Sequence, residues 1–264
     1  MPFDRMIHLM SKRVRWSRDQ RLVTFRLYCR TPFGRLHRNN PEIIELARLI
    51  GRTPSAVAMK AVNFASLDPV QQARNIAGLG NASDEDRTLW QEFEENAEQV
   101  AAEAEAAYAR LTGKDAPVLE TELELPEGPT EVERTIRARR VQAFFRTAVL
   151  ASYEGRCALS DLAIPELLNA SHIIPWKVNA NRRADPRNGI ALNALYDRAF
   201  DRGLITFDAS LRVVISRRVH IDDPPVFHRQ TLLDLEGREL RLPTRFTPDP
   251  AAMAYHREHV FVER

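Results

Sequence analysis

Residues 157–207 read CALSDLAIPELLNASHIIPWKVNANRRADPRNGIALNALYDRAFDRGLITF. Leu167 to Trp176 is largely apolar with Ser171-His172 inside it, the pattern of a short strand. Lys177 to Arg187 collects Asn, Arg, Asp and Pro and predicts a loop. Gly189 to Leu192 fits a short returning strand. Asn193 suits an N-cap, Ala194 to Arg202 a helix and Gly203 the residue that ends it. Leu204 to Phe207 and Val213 to Ser216 predict two more strands. Asp197 and Asp201 then fall one turn apart on one helix face, where two like charges repel by roughly 0.2–0.5 kcal/mol. A bound cation would turn that penalty into attraction, and carboxylate oxygens favour hard ions such as Mg²⁺ or Mn²⁺ over zinc. Taken alone, such a pair is more often a solvated one, with Asp201 bonded to Arg198. The neighbouring Ser171-His172 and Asn188-Gly189 shift the balance toward an ion held beside a general base.

The motifs SHIIPW and NGIALNALYDRAFDRG resemble the HNH nuclease superfamily, whose fold is the ββα-metal unit. The likeness is closest to the branch whose histidine follows a small residue and whose helix carries a Phe-Asp pair. It implies His172 as general base and Asn188 as the residue bracing the loop that orients it. It implies Asp197 as a metal ligand, nine residues after the asparagine, and Asp201, four further on, as a second ligand or outer partner. Ser171 stands where many members carry a ligating histidine or aspartate, and joins the candidate metal set. Many members have histidine at the Asp197 position, where aspartate still suits Mg²⁺. The implied chemistry is hydrolysis of a phosphodiester: neutral His172 takes a proton from water, which attacks phosphorus in line with the leaving 3′ oxygen. Tyr196, Phe200 and Trp176 are assigned to packing.

The chain has 264 residues and 44% hydrophobic residues, enough for one large or two modest domains with a proper core. No apolar run approaches a membrane span, and a soluble cytoplasmic protein is the expectation. Cys29 and Cys157 are the only cysteines, so a disulfide framework and a four-cysteine zinc site are both excluded. The net charge of +2 hides segregation. Residues 1–60 hold 13 Lys/Arg against 4 Asp/Glu, residues 81–133 hold 3 against 16, and residues 134–264 hold 21 against 15. Two basic modules thus flank an acidic middle, and nucleic acid is the natural partner of the basic faces.

Arg15-Trp16-Ser17 opens a predicted helix through Cys29, Pro41 to Ile50 a second and Ser55 to Phe64 a third. ELARLIGRTPSAVAMKAVNF resembles the helix-turn-helix or Myb-like class. That likeness would offer Arg52, Thr53, Ser55, Lys60 and Asn63 to a DNA groove or its phosphates. Asn81 to Leu111 predicts an Ala/Glu-rich helix, read as a solvated helix that spaces two domains or packs on a partner subunit, with DNA mimicry the minor alternative. Residues 112–130 read as a linker, with an edge strand over Val118 to Leu125. Glu131 to Tyr153 predicts a helix with Val141, Phe144, Phe145, Val149 and Leu150 inward. Arg139 and Arg140 on that helix, with Lys177, Arg182 and Arg183 in the loop, are candidate phosphate contacts. Ala252 to Val260 predicts a closing helix, whose His256 and His259 are a weak metal signal.

The expected architecture is α+β: a helical DNA-binding domain over residues 1–111, a linker over 112–130, and an HNH nuclease domain with added short strands over 131–264. The expected activity is metal-dependent cutting of double-stranded DNA in a restriction or defence setting, by a homodimer using Mg²⁺ or Mn²⁺ and no structural zinc. The alternatives are an inactive HNH-fold DNA-binding regulator and a nuclease for RNA or branched DNA.

Overall fold

The computed structural model describes residues 15–74, 82–115 and 129–263. Its first half is helical: α1 (Arg18–Arg30), α2 (Pro41–Leu49), α3 (Pro54–Ala65), α4 (Pro69–Ala73), α5 (Asp84–Glu95) and α6 (Ala97–Thr112). A long helix α7 (Pro129–Ser152) leads to the hairpin β1 (Leu168–His172) and β2 (Gly189–Asn193), then α8 (Ala194–Asp201). A second hairpin, β3 (Ile205–Phe207) and β4 (Val213–Ile215), is followed by α9 (Val226–Thr231) and α10 (Pro250–His259). The fold is α+β, with helices first and short antiparallel strands after α7. The expected strand over Val118 to Leu125 lies outside the described residues.

Local chemistry sets the helix ends. Ser17 and Gln20 close a capping box at the start of α1. Asn40 and Thr53 cap α2 and α3, each followed by a proline whose missing N–H costs nothing at that position. Between them Gly51 takes φ +66°, so α2, the turn and α3 stand where the sequence puts them. The acidic stretch departs from expectation. It breaks at Asn96, whose side chain accepts from Gln99 N–H at 3.1 Å and starts a new helix. Nor is α6 a solvated spacer: Ala97, Val100, Ala101, Ala104 and Ala107 are buried, and their small side chains let α6 lie close against α1 and α7. A 3–4 spaced apolar stripe is what a packed helix needs, and the glutamates on the remaining faces mask it in composition.

Two hydrophobic cores share α7. Val141, Phe144 and Ala148 face the first core, with Phe25, Phe64 and Phe93 at its centre. Phe145, Val149 and Tyr153 face the second, which holds Ile190, Leu192, Phe200 and Phe207. The segment before α10 returns to the first core. Phe246 packs against Trp90 and Tyr28, and the fully buried Arg245 donates to the Tyr28 and Cys29 carbonyls. Among the described residues no helix is long and apolar enough to cross a membrane.

Candidate active site

The hairpin β1–β2 positions the site. Its register pairs His172 with Gly189 and Ser171 with Ile190, and Asn193 ends β2 by capping α8 through Tyr196 N–H at 2.9 Å. This turn directs the first turn of α8, with Asp197, back toward β1. Asn169 and Ser171, two apart and so on one side of the strand, both reach that carboxylate. Asn169 Nδ2 donates to Asp197 Oδ2 at 2.6 Å, and the buried Ser171 hydroxyl donates to Oδ1.

Gly189 is dictated by packing. A Cβ there would stand 2.5 Å from Val149 Cγ2 and 2.7 Å from Phe145 Cζ, so α7 can approach β2 only over a glycine. Phe145, lowered onto that spot, stacks on the His172 ring at 3.8 Å and 13°. Trp176 meets the same ring edge-on at 5.5 Å. His172 Nε2 lies 3.0 Å from the Arg183 carbonyl. A carbonyl only accepts, so Nε2 carries the proton and Nδ1 the lone pair. Burial, outweighing that hydrogen bond, lowers His172 to about 4, so the ring is neutral at pH 7.

Asn188 is buried and holds the loop between the strands from within. Its Oδ1 accepts from Ile174 N–H at 2.8 Å, its Nδ2 donates to the Ile174 carbonyl at 3.2 Å, and its own carbonyl accepts from Ile173 N–H at 2.9 Å. The first residues after His172 are therefore fixed by one amide.

His172, Ser171, Asn169 and Asp197 line a cleft of about 850 Å³, with Arg146 of α7 and Asp201 and Arg202 at the end of α8, while Asn188 lies behind it. Arg146 donates to the Pro165 carbonyl at 3.2 Å; burial lowers its pKa, against the raising influence of Asp197. Asp201 stands at the rim, where partial desolvation of its carboxyl, followed by the charge of Asp197, pushes it up to about 6. Among the described residues no three His, Cys, Asp or Glu side chains cluster for an ion. Two neighbouring carboxylates are nonetheless an all-oxygen donor pair suited to a hard divalent cation completed by water and phosphate oxygens.

Residues 157–208, which include all of β1, β2 and α8, match the family model described as HNH endonuclease. The chain carries an HNH domain. No curated protein matches the chain. The HNH match assigns this part to a nuclease family and makes nucleic acid the class of substrate.

The HNH hairpin and helix bring together His172, Asn188, Ser171, Asp197 and Asp201, but the nucleic-acid candidates scatter. Lys60 and Asn63 require correction: both are buried, because α3 turns them inward, and the Lys60 ammonium bonds Asp86 at 2.7 Å. Thr53 and Ser55 are exposed at the start of α3, where the Thr53 hydroxyl accepts from Ala56 N–H. Arg52 donates to the Arg15 carbonyl and Gln20. Arg139 is half-buried on α7, and Arg140 is held by both oxygens of Asp115. Lys177 is exposed; Arg182 pairs with Asp185 and Asp249, and Arg183 with Glu98. His256 and His259 form no metal pair, since His256 is buried against Phe200 while His259 stacks on Tyr255. Sequence reasoning missed Asn169 and Phe145. The alternation of Asn169 with Ser171 could have flagged the first; nothing in sequence flags the second.

Proposed function

We propose that the chain is a metal-dependent DNA endonuclease whose general base is His172 Nδ1. The observation that supports this most is the fixed tautomer: with Nε2–H given to the Arg183 carbonyl, the free lone pair belongs to a neutral imidazole in the same cleft as Asp197. In this reading His172 accepts a proton from water, the water oxygen attacks phosphorus, and the 3′ oxygen leaves on the opposite side. Arg146 offsets phosphate charge on the α7 wall. Asp197 and Asp201 would hold the divalent ion, Mg²⁺ or Mn²⁺, which when bound stabilises charge on the leaving oxygen. Ser171 enters as the group that aligns Asp197, because its hydroxyl already donates to that carboxylate. Asn188 fixes the loop that carries the Arg183 carbonyl.

The excess of basic over acidic residues in 1–60 and 134–264 supports duplex DNA as the substrate, and a restriction or defence role with a homodimer cutting both strands belongs to the same reading. Incubation with supercoiled plasmid in Mg²⁺, Mn²⁺ or EDTA tests it. Nicking or linearisation is expected only with metal, and His172→Ala should lower the rate about 10²–10⁴-fold with DNA affinity retained. A dimer gives linear product early; separate monomers give nicked circles first. DNA binding without cleavage under any divalent ion would overturn the proposal in favour of an inactive regulator, and cleavage of RNA alone would overturn the substrate.

A further inference from the structure

We propose that Glu98, on the acidic helix α6 far outside the HNH motif, is a positioning residue for His172. The inference rests on the nuclease reading above, and its geometry runs through three contacts. Glu98 Oε2 accepts from Arg183 Nη1 at 3.1 Å. The same guanidinium donates through Nε to the Trp176 carbonyl at 2.8 Å and lies 4.9 Å over the Trp176 ring. The Arg183 main-chain carbonyl receives the His172 Nε2–H.

One hydrogen bond to a loop carbonyl is a weak hold on an imidazole. A modest rotation of the ring swings Nε2 away from its acceptor, and a small shift of the loop releases the bond. Asn188 braces the loop at Ile174, close to His172 in sequence, but donates toward Arg182 only at 3.5 Å. The far side of the loop needs another anchor. Glu98 supplies it from a rigid base, because its neighbours Ala97 and Ala101 are buried against the first core. The ion pair is well shielded, with side-chain exposures of 26% for Arg183 and 16% for Glu98, so it is worth more than an open surface pair. Glu98 also accepts from Arg137 of α7 at 3.5 Å, and Glu94 of α5 takes Arg187 at 3.4 Å as a second strut. The acidic helices thus back the loop that carries the base's acceptor.

The opposite reading of the same contacts is masking: Glu94 and Glu98 would keep the loop arginines from DNA. The two differ in sign. Glu98→Gln is expected to lower kcat on duplex DNA with Mg²⁺ by about 10- to 100-fold while KM stays within about twofold, the cost of a slightly misplaced base. Glu98→Asp should recover part of that loss. A second readout needs no cleavage: the His172 Nε2–H should give a slowly exchanging imidazole signal in ¹H–¹⁵N spectra, assigned by its disappearance in His172→Gln. Glu98→Gln should broaden or remove it, and Glu98→Asp should restore it. Arg183→Met, which keeps the carbonyl and leaves no unpaired guanidinium, should do the same if Glu98→Gln folds poorly. An unchanged signal in both variants would overturn the inference even if the nuclease reading holds. Faster cleavage or tighter DNA binding by Glu98→Gln would overturn it in favour of masking. A lost signal in a chain that cuts nothing would sustain the positioning role and sink the nuclease reading instead.

Discussion

His172 and His256 are built alike up to one hydrogen bond. Each stacks flat on a phenylalanine, at 3.8 Å on Phe145 and 3.7 Å on Phe200. Each directs Nε2 at a main-chain carbonyl, that of Arg183 or of Phe200. Burial lowers each to about 4. The difference is Nδ1, which in His256 takes the Thr206 hydroxyl at 2.9 Å and in His172 has no partner among the described residues. One ring has both nitrogens bonded; the other keeps a lone pair at Nδ1. A pH consequence follows for His256. The unfolded chain protonates this ring near 6.5 and the folded chain near 4, so in that window the unfolded state holds the extra proton. Its contribution is complete above 6.5 and falls as pH drops toward 4, by about 3 kcal/mol in all. Urea midpoints measured from pH 7 to 4 should decline, and the decline should be shallower in His256→Asn. The sequence marks both histidines but cannot rank them by Nδ1, because Thr206 lies fifty residues from His256 and only packing joins them. The resemblance singled out His172, Asn188, Asp197 and Asp201, and the structure sets them on one hairpin and the helix after it, since that arrangement converts sequence intervals into distances.

At the scale of elements, the meeting of α7 and β2 is the most sensitive joint in the site. Gly189→Ala places a methyl group inside contact distance of Val149 and Phe145, and overpacking of this kind typically costs about 1–3 kcal/mol. The displaced ring is the one that supports His172, so activity should fall more than stability alone explains. Thermal melting and cleavage measured on the same variant check this; an unchanged rate would show that Phe145 merely fills space. The start of α8 was legible because its cap, Asn193, is spelled out, whereas α3 begins at Pro54, one residue before the expected Ser55. Burial was less legible. The alanine stripe of α6 is hidden among glutamates, and the buried Lys60 of α3 finds its partner in Asp86, on a helix brought alongside only by folding. Charge in a sequence reports what a segment carries, not which way it faces.

At the scale of the molecule, the helical half and the HNH half share α7 and exchange the Arg245-Phe246 pair. Neither core is complete alone. The full chain is expected to unfold in one cooperative transition by calorimetry and by near-UV circular dichroism, whereas a fragment of residues 131–264 would expose Val141, Phe144 and Phe246 and should aggregate or lose fixed packing. Two well-separated transitions in the full chain would contradict this coupling. The sequence showed a basic, then acidic, then basic order but not this interlock, since nothing local links Phe246 to Trp90.

The interlock also sets an order in time. During synthesis α1 leaves the ribosome long before Arg245, which stands 217 residues after Tyr28. Until it arrives, the carbonyls at the end of α1 lack their buried donor, and the shared helix has an unfinished core on one face. The HNH hairpin and its helix are translated earlier than Arg245, yet their support is not. A nascent chain that already contains the whole hairpin and its helix is therefore still waiting for the residues that finish both cores.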